Sequence, residues 1–509
     1  MLQPSRTYKR GLKQAVDWKL VICYLLLVFI GWINIYASVH SANPSSIFDW
    51  SVRSGKQFIW ICTSLGLATL ILFVFNPRIW EVLSVPSYAF VFFLLVLVIF
   101  VSSDVKGSHS WFELGPVKFQ PAEISKITTS LLLAATMSKP NFKLGKAKDF
   151  LMVAAIVGLP MLTIVAESET GSALVYIGFL FVLYREGLSG WILMVAGMCV
   201  LLFILTLTAS SYYSVIVLLT IVSFCYCLQV KKGGKWLLYG GLPLLLFTFL
   251  PKIWAAVCEA IIPGSSVLGT VDASVAGAIT GDSRWTFLLG FKPQYLLLGI
   301  CALLLPVCIF NAYRDKRTYM WAAIGAFLVG IMLIFSTEFL FNKVLQDHQR
   351  ARIEVLLGMK EDPSGIGYNV NQSKIAIGSG GFAGKGFLHG TQTTYGFVPE
   401  QSTDFIFCTV GEEWGFIGCA VVILLYAFLI ARIITDAEKS RESFTRIYGY
   451  CVASCIFMHL FINVGMTIGL MPVIGIPLPL LSYGGSSLWA FTILIFIFIA
   501  LDREEKKYF

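Results

Sequence analysis

The stretch VPEQSTDFIF (398–407) sets two carboxylates, Glu400 and Asp404, four residues apart, directly before a long apolar run. An acid at a membrane boundary is costly unless it is solvated, paired or used. One reading is electrostatic: Asp404 stands near the start of an apolar helix, where the dipole favours negative charge. The other is chemical: a carboxylate beside several cations can take a proton from a substrate hydroxyl or hold a metal ion. If 400–404 is helical, the spacing puts both acids on one face.

The cations lie upstream. In DHQRARIEVLLGMKEDP (347–363), Arg350 and Arg352 are fixed charges just outside an apolar run. They suit either anchoring to lipid headgroups or two-pronged chelation of a diphosphate. Between them and the acids runs NQSKIAIGSGGFAGKGFLHGTQ (371–392). A nucleotide-binding P-loop needs Gly, four residues, then Gly-Lys-Ser/Thr. Counting back from Gly384-Lys385 puts Ser379 at the first glycine position, and Gly386 replaces the hydroxyl residue. The motif fails. The glycines instead permit tight turns, with Lys374 and Lys385 as available cations.

The elements that position these groups are membrane helices. Hydrophobic residues make up 57% of the 509 and charged ones 13%, and the mean hydropathy is +0.78. No globular core could hide that much apolar surface, so the fold class is an all-α polytopic integral membrane protein. The first apolar run is too long for a signal-peptide core and reads as a retained span. The twelve cysteines fall mostly in apolar stretches. Cys225 and Cys227 have no His or acid at metal-ligand spacing, so neither a disulfide framework nor a zinc site is expected.

A hydrocarbon core of about 30 Å needs about 20 apolar residues per helix. Fourteen ranges qualify: 19–40, 57–75, 86–102, 121–137, 149–166, 171–185, 191–208, 213–229, 236–256, 294–312, 320–340, 411–434, 448–470 and 485–502. Lys and Arg concentrate in the N-terminus, in 138–148, 230–235, 313–319 and 435–447, and in the C-terminal tail. All of these fall on one side, so both termini are expected in the cytoplasm. This distribution explains the net charge of +9 without a nucleic-acid partner. The opposite face carries the long loops 41–56, 103–120, 257–293 and 341–410. The last is too long for a mere connection and is expected to be functional.

Four blocks carry a specific resemblance: WFELGPVKFQPAEISKI (111–127), NQSKIAIGSGG (371–381), HGTQTTYGFVPEQSTDFIF (389–407) and GMTIGLMPVIGIPLPLLSYGGSS (465–487). In order and content they resemble the shape, elongation, division and sporulation (SEDS) family, and HGTQ resembles its rod-shape branch. The resemblance implies a peptidoglycan glycosyltransferase of the bacterial cytoplasmic membrane. Such an enzyme polymerises lipid II into β-1,4 glycan strands during elongation, releases undecaprenyl diphosphate, and works with a class B penicillin-binding protein. It maps the catalytic aspartate onto Asp404, and cavity-lining residues of the fourth span onto Glu123 and Lys126, whose spacing of three suits an ion pair. Gln372, Ser373 and Lys374 of the second block, with Arg350, Arg352, Glu169 and Glu400, complete the implied substrate-binding set.

Departures accompany the match. The family has ten spans, and the surplus here lies between Gly190 and Phe341. The expected organisation is core spans in 1–190, a region with about four additional spans in 191–340, an extracytoplasmic catalytic loop in 341–410 and the remaining core in 411–509. The family's QPDLG block reads ESETG, with Ser168 at the Pro and Glu169 at the Asp. Ser110 replaces the basic residue expected before Trp111.

One carboxylate suffices for the implied chemistry, because a lipid diphosphate leaves without a general acid once its charge is neutralised. Asp404 would deprotonate the acceptor's 4-hydroxyl. Arg350, Arg352, Lys374 and a divalent cation (Mg or Mn) would meet the diphosphate. Displacement would invert the α-linked donor. Pro477 and Pro479 preclude regular helix, so GIPLPLLSYGGSS is expected to be a re-entrant loop. The rival classes are a lipid II flippase, which should show repeated halves and midplane polar groups, and a non-catalytic scaffold for a transpeptidase.

Overall fold

A computed structural model describes residues 16–39, 46–102, 110–114, 117–208, 211–229, 293–314, 318–344 and 367–507, with isolated positions in 241–253 and 350–357. The chain divides into two compact units, residues 1–190 with 351–509 and residues 191–350. The first holds α1 (Trp18–Val39), α2 (Arg53–Phe73), α3 (Ile79–Val101), a hairpin of β1 (Phe112–Leu114) and β2 (Val117–Phe119), α4 (Pro121–Met137), α5 (Ala147–Ala166), α6 (Thr170–Val175) and α7 (Phe179–Arg185). The second holds α8 (Gly190–Thr208, from Trp191 onward), α9 (Ser211–Gln229), α10 (Pro293–Arg314) and α11 (Thr318–Phe339). The first unit then resumes with α12 (Tyr368–Gly380), α13 (Thr391–Thr394), α14 (Ile406–Lys439), α15 (Ser443–Thr467) and α16 (Gly485–Lys507).

Ten described helices are long and apolar enough to cross a membrane; that number does not confirm the expected fourteen. Three of the expected ranges are helical but fall short. The helix α4 has 17 residues and carries Glu123 and Lys126. Residues 170–185 are broken by a 3-10 turn at Tyr176–Gly178, and the apolar stretch of α9 is brief. Range 236–256 lies largely outside the described residues.

Burial explains why so polar a segment as α4 is helical at all. Pro121 starts it, where the missing N–H costs nothing. Almost every side chain that follows is enclosed by protein. The hydroxyl of Ser125 bonds Tyr176 at 2.7 Å, and Ser130 donates to the Lys126 carbonyl at 2.6 Å. The innermost partners are α15 and α16, which contribute much of a core that includes Tyr448, Ile456, Phe491 and Phe498. The outer helices expose apolar residues such as Phe90, Phe93 and Leu162, as helices facing hydrocarbon should.

The helix α14 bends at Gly415, whose φ of 64° and ψ of −159° are outside the helical region. A broken helix in a membrane must have its freed backbone groups satisfied by protein. The glycine-rich turn 381–386 does this. The N–H groups of Lys385 and Gly386 donate to the carbonyls of Glu412 and Glu413 at 3.0 Å each, and Phe416 donates to the carbonyl of Gly381 at 2.9 Å. A Cβ on Gly384 would sit 2.1 Å from the Glu413 carbonyl oxygen. The Gly-rich run therefore exists to lie against a helix backbone, in keeping with the failure of the nucleotide motif.

Candidate active site around Asp404

Residues 399–405 form a turn, not a helix, so Glu400 and Asp404 do not share a helical face. Glu400 adopts φ of +50°, and its carbonyl accepts the N–H groups of Thr403 at 3.2 Å and Phe405 at 3.3 Å. The carbonyls of Ser402, Thr403 and Asp404 are held one by one from the C-terminal part of the chain. Tyr483 N–H donates to Ser402 at 2.8 Å, the Ser482 hydroxyl to Thr403 at 2.5 Å, and the Asn463 amide to Asp404 at 2.8 Å. The Gln401 side chain adds bonds to the carbonyls of Ser38 at 2.5 Å and Thr393 at 2.9 Å. The backbone that aims the half-buried Asp404 carboxylate is thus fixed on rigid elements before any substrate arrives.

The other wall is the segment 472–478, which has no regular secondary structure, as Pro477 and Pro479 require. Asn463 bonds the Ile476 carbonyl at 2.6 Å as well as Asp404, so one amide joins the two walls. Gly475 has φ of +75°, and a Cβ there would lie 3.3 Å from Asp404 Oδ2. Glycine is needed twice, for the backbone angle and for room beside the carboxylate. Gly475→Ala should therefore cost about 1 kcal/mol of stability. Because displacing a reacting group by an ångström costs up to ~10²-fold, it should also slow turnover more than it weakens substrate binding. Steady-state kinetics on the folded variant would check this split.

Glu400 turns toward Arg53 at the start of α2, with 4.0 Å between Oε2 and Nη1. Arg53 also donates to the Ser402 hydroxyl and lies 5.8 Å from the centroid of the Tyr483 ring. Sequence reasoning passed over Arg53; its only signal was being a cation in the first long loop region. Lys374 is exposed on α12, and its ammonium end lies across Gly469, where a Cβ would come within 2.5 Å of Nζ. Gln372, beside it, is half-buried. Ser373 is fully buried, and its hydroxyl bonds the Thr467 carbonyl at 2.6 Å and the Cys408 sulfur at 2.8 Å. It pins α12 to α14 and α15. Lys385, expected as an available cation, is bound to Glu412 at 2.7 Å. That carboxylate also accepts the N–H groups of Gln392 and Thr393 at 2.9 and 2.8 Å, so it organises the HGTQT block. Arg350 belongs to the second unit, with its guanidinium 5.1 Å from the centroid of the Phe341 ring. Arg352 lies outside the described residues.

Glu123 and Lys126 are almost wholly buried, 3% and 2% exposed, and pair at 2.9 Å. Their surroundings are protein rather than an open cavity. Lys126 Nζ also reaches His459 Nε2 at 2.8 Å, and His459 Nδ1 lies 3.2 Å from the Pro477 carbonyl. With the ammonium donating to Nε2, the ring N–H sits on Nδ1 and donates to Pro477. The chain of contacts carries the position of α4 through α15 to the wall beside Asp404. His459, a lone histidine on an apolar helix, offered no sequence signal.

The departures from the SEDS pattern meet in one place. The Glu169 carboxylate accepts hydrogen bonds from Ser110 and from Gln120, each at 2.9 Å, so the replaced acid and the replaced base contact each other. Ser168 has φ of +62°, an angle proline cannot adopt. Glu167 is fully buried, with no hydrogen-bond partner for either carboxylate oxygen among the described residues. Burial, with Glu169 beside it, raises its pKa to about 8. An acid whose folded pKa is raised contributes stability that is complete below its unfolded value, near 4, and is lost as pH rises through about 8. Thermal unfolding should therefore move to lower temperature between pH 6 and pH 9. Glu167→Gln, neutral throughout, should flatten that dependence, and an unchanged slope would exclude Glu167 as its source.

Among the described residues no group of three or more His, Cys, Asp or Glu side chains could hold a metal ion. With Glu400 turned to Arg53, the donors around Asp404 do not fit a protein-held Mg or Mn.

The model of the cell cycle protein family of FtsW, RodA and SpoVE matches residues 17–243 and 285–507, which include every element of this site. The chain belongs to the FtsW/RodA/SpoVE family. Among relatives of this family member, the peptidoglycan glycosyltransferase RodA of Treponema pallidum (strain Nichols) is 29% identical over 495 residues, covering 96% of this chain and 98% of that protein. The peptidoglycan glycosyltransferase MrdB of Escherichia coli (strain K12) is 27% identical over 427 residues, covering 84% and 79%. A solved structure concerned with the coordination of polymerization and crosslinking by a peptidoglycan synthase complex shares the fold. Its TM-score is 0.55 at 21% identity, over 96% of this chain and 98% of that one.

Proposed function

We propose that this chain is a peptidoglycan glycosyltransferase that polymerises lipid II into β-1,4 glycan strands during cell elongation. The observation that carries the reading is the Asp404 turn, in which three successive carbonyls are anchored so that one half-buried carboxylate is presented at a fixed place. Asp404 takes the proton from the acceptor's 4-hydroxyl. The new bond forms from that oxygen to the donor's anomeric carbon while the carbon–oxygen bond to the lipid diphosphate breaks, with inversion. Undecaprenyl diphosphate leaves with its electron pair. Its charge is met by Arg53 and Lys374 of the first unit. Ser373, Glu123 and Lys126 position the site from within the protein.

The partner is a class B penicillin-binding protein that cross-links the new strand. The family membership and the two glycosyltransferase relatives support this placement in cell-wall synthesis. The protein sits in the cytoplasmic membrane with both termini in the cytoplasm and the Asp404 turn on the periplasmic side, following the distribution of Lys and Arg. Exposed Tyr395, changed to Cys, should react with an impermeant thiol reagent in intact spheroplasts above the parent background. Reaction only after permeabilisation would reverse the topology.

Reconstitution into vesicles with labelled lipid II tests the function. A polymerase converts lipid II into glycan that muramidase digests. Movement of lipid II across the bilayer with no glycan formed would identify a flippase instead.

A further inference from the structure

The second unit has a core of its own, built from Leu202, Tyr212, Ile216, Leu297, Phe327 and Ile334. Beside that core lies a cavity of roughly 520 Å³ between α8, α9 and α11, within the size range of small-molecule sites. Its walls are apolar, with Met194, Met198, Ile221 and Val329 among them. The α11 wall is built of small residues, and a Cβ added at Gly325 would meet nothing within 4 Å. This void is not confined to the glycine itself. The lining runs from Trp191 to Cys199 on α8, from Leu218 to Tyr226 on α9 and from Ala322 to Leu333 on α11, so the cavity reaches from one end of this helix group to just past its middle.

That end has a distinct chemistry. Exposed Trp191 and half-buried Tyr226 border the cavity there, the residue types that mark a membrane–water interface. Arg314 closes α10 immediately before α11 begins, and its side chain is exposed. In sequence, Lys231, Lys232 and Lys235 follow α9, and Lys316 and Arg317 precede α11. The excess of cations marks this as the cytoplasmic end, facing the leaflet surface where anionic lipids attract basic residues.

We propose that the cavity between α8, α9 and α11 holds one acyl chain of an anionic diacyl phospholipid, with the lipid phosphate at the basic end where Arg314 stands. In a bilayer the hydrophobic effect does not distinguish a lipid chain from a leucine, so packing and headgroup charge must supply the selectivity. The cavity supplies the first. A void with no partner atoms forfeits the dispersion contacts of its lining, and a flexible chain restores them. The cations supply the second, and they favour an anionic over a zwitterionic headgroup. The inserted helices thereby acquire a role as a lipid-recognition unit, which does not depend on the reaction assigned to Asp404.

The test uses the full-length protein in nanodiscs of phosphatidylethanolamine with a minority of phosphatidylglycerol, read by native mass spectrometry. One phosphatidylglycerol should stay bound on release from the disc, above its share of the bilayer. Gly325→Phe, which fills open space, should lose it while helix content and unfolding temperature hold. Arg314→Gln should keep the cavity but lower the preference for phosphatidylglycerol about fivefold, one surface cation's share of the attraction. Equal retention by Gly325→Phe, lipid bound only in proportion to the bilayer, or a polyprenyl diphosphate as the co-purifying lipid would each overturn the proposal. Should Gly325→Phe fail to fold, the Arg314→Gln comparison decides alone.

Discussion

Asp404→Asn should lower glycan synthesis by about 10²–10⁴-fold, the usual share of a general base, while lipid II binding largely survives. Asn keeps the shape of the side chain, and the bond from Asn463 to the Asp404 carbonyl does not involve the carboxylate. What is lost is the ability to accept a proton. A purely electrostatic Asp404 at the head of α14 would behave differently, because Asn also serves well at a helix N-terminus and the substitution would be nearly silent. Glu400→Gln should cost much less. Its contact with Arg53 is 4.0 Å long and both side chains are about half exposed, and ion pairs of that kind contribute about 0–1 kcal/mol. Single-turnover rates and lipid II binding, measured on the same preparations, separate these outcomes.

Lys126→Met should destabilise the protein by about 3–5 kcal/mol, the usual result of removing one partner from a buried ion pair. Glu123 would be left charged and enclosed, with Oε2 already lacking a partner among the described residues. His459 would lose its contact at 2.8 Å, and with it the wall at Pro477 would loosen. Adding Glu123→Gln should recover most of the stability, since the uncompensated charge is gone. It should not fully restore glycan synthesis, because the link from α4 to Pro477 stays broken. Chemical denaturation of the single and double variants in one detergent provides the comparison. A Lys126 that only contacted substrate would change binding and leave unfolding untouched.

The sequence was most legible where a local rule decides the backbone. Apolar length marked the helices, and Pro477 and Pro479 excluded regular helix from the segment that flanks Asp404. Asp404 and Lys374 stood out by residue type and placement, and the resemblance brought the Glu123–Lys126 pair into view. It was least legible where distant groups decide. The spacing of Glu400 and Asp404 suggests a shared helical face, yet contacts from Asn463, Ser482 and Tyr483 hold a turn there, with Glu400 at positive φ. No local pattern encodes those partners. Arg53 reads as an ordinary interfacial cation until folding sets it beside Glu400. Lys385 reads as available until Glu412, an acid that looks out of place in an apolar run, engages it. The departures at Ser110 and Glu169 look independent along the chain, and only the fold joins them. The span count differs for a related reason: the ten described helices that meet a span's length and hydropathy leave out α4. Hydropathy treats α4 as a weak span, whereas its charged and hydroxyl side chains are enclosed by neighbouring helices.

The central claim is that this chain makes glycan, using Asp404, and the most direct measurement is polymerisation of lipid II by the purified full-length protein with and without the proposed class B penicillin-binding partner. The account predicts muramidase-sensitive strands from the wild type in the presence of the partner, and loss of those strands with folded, partner-bound Asp404→Asn. Strands formed by that variant at close to the wild-type rate would contradict it.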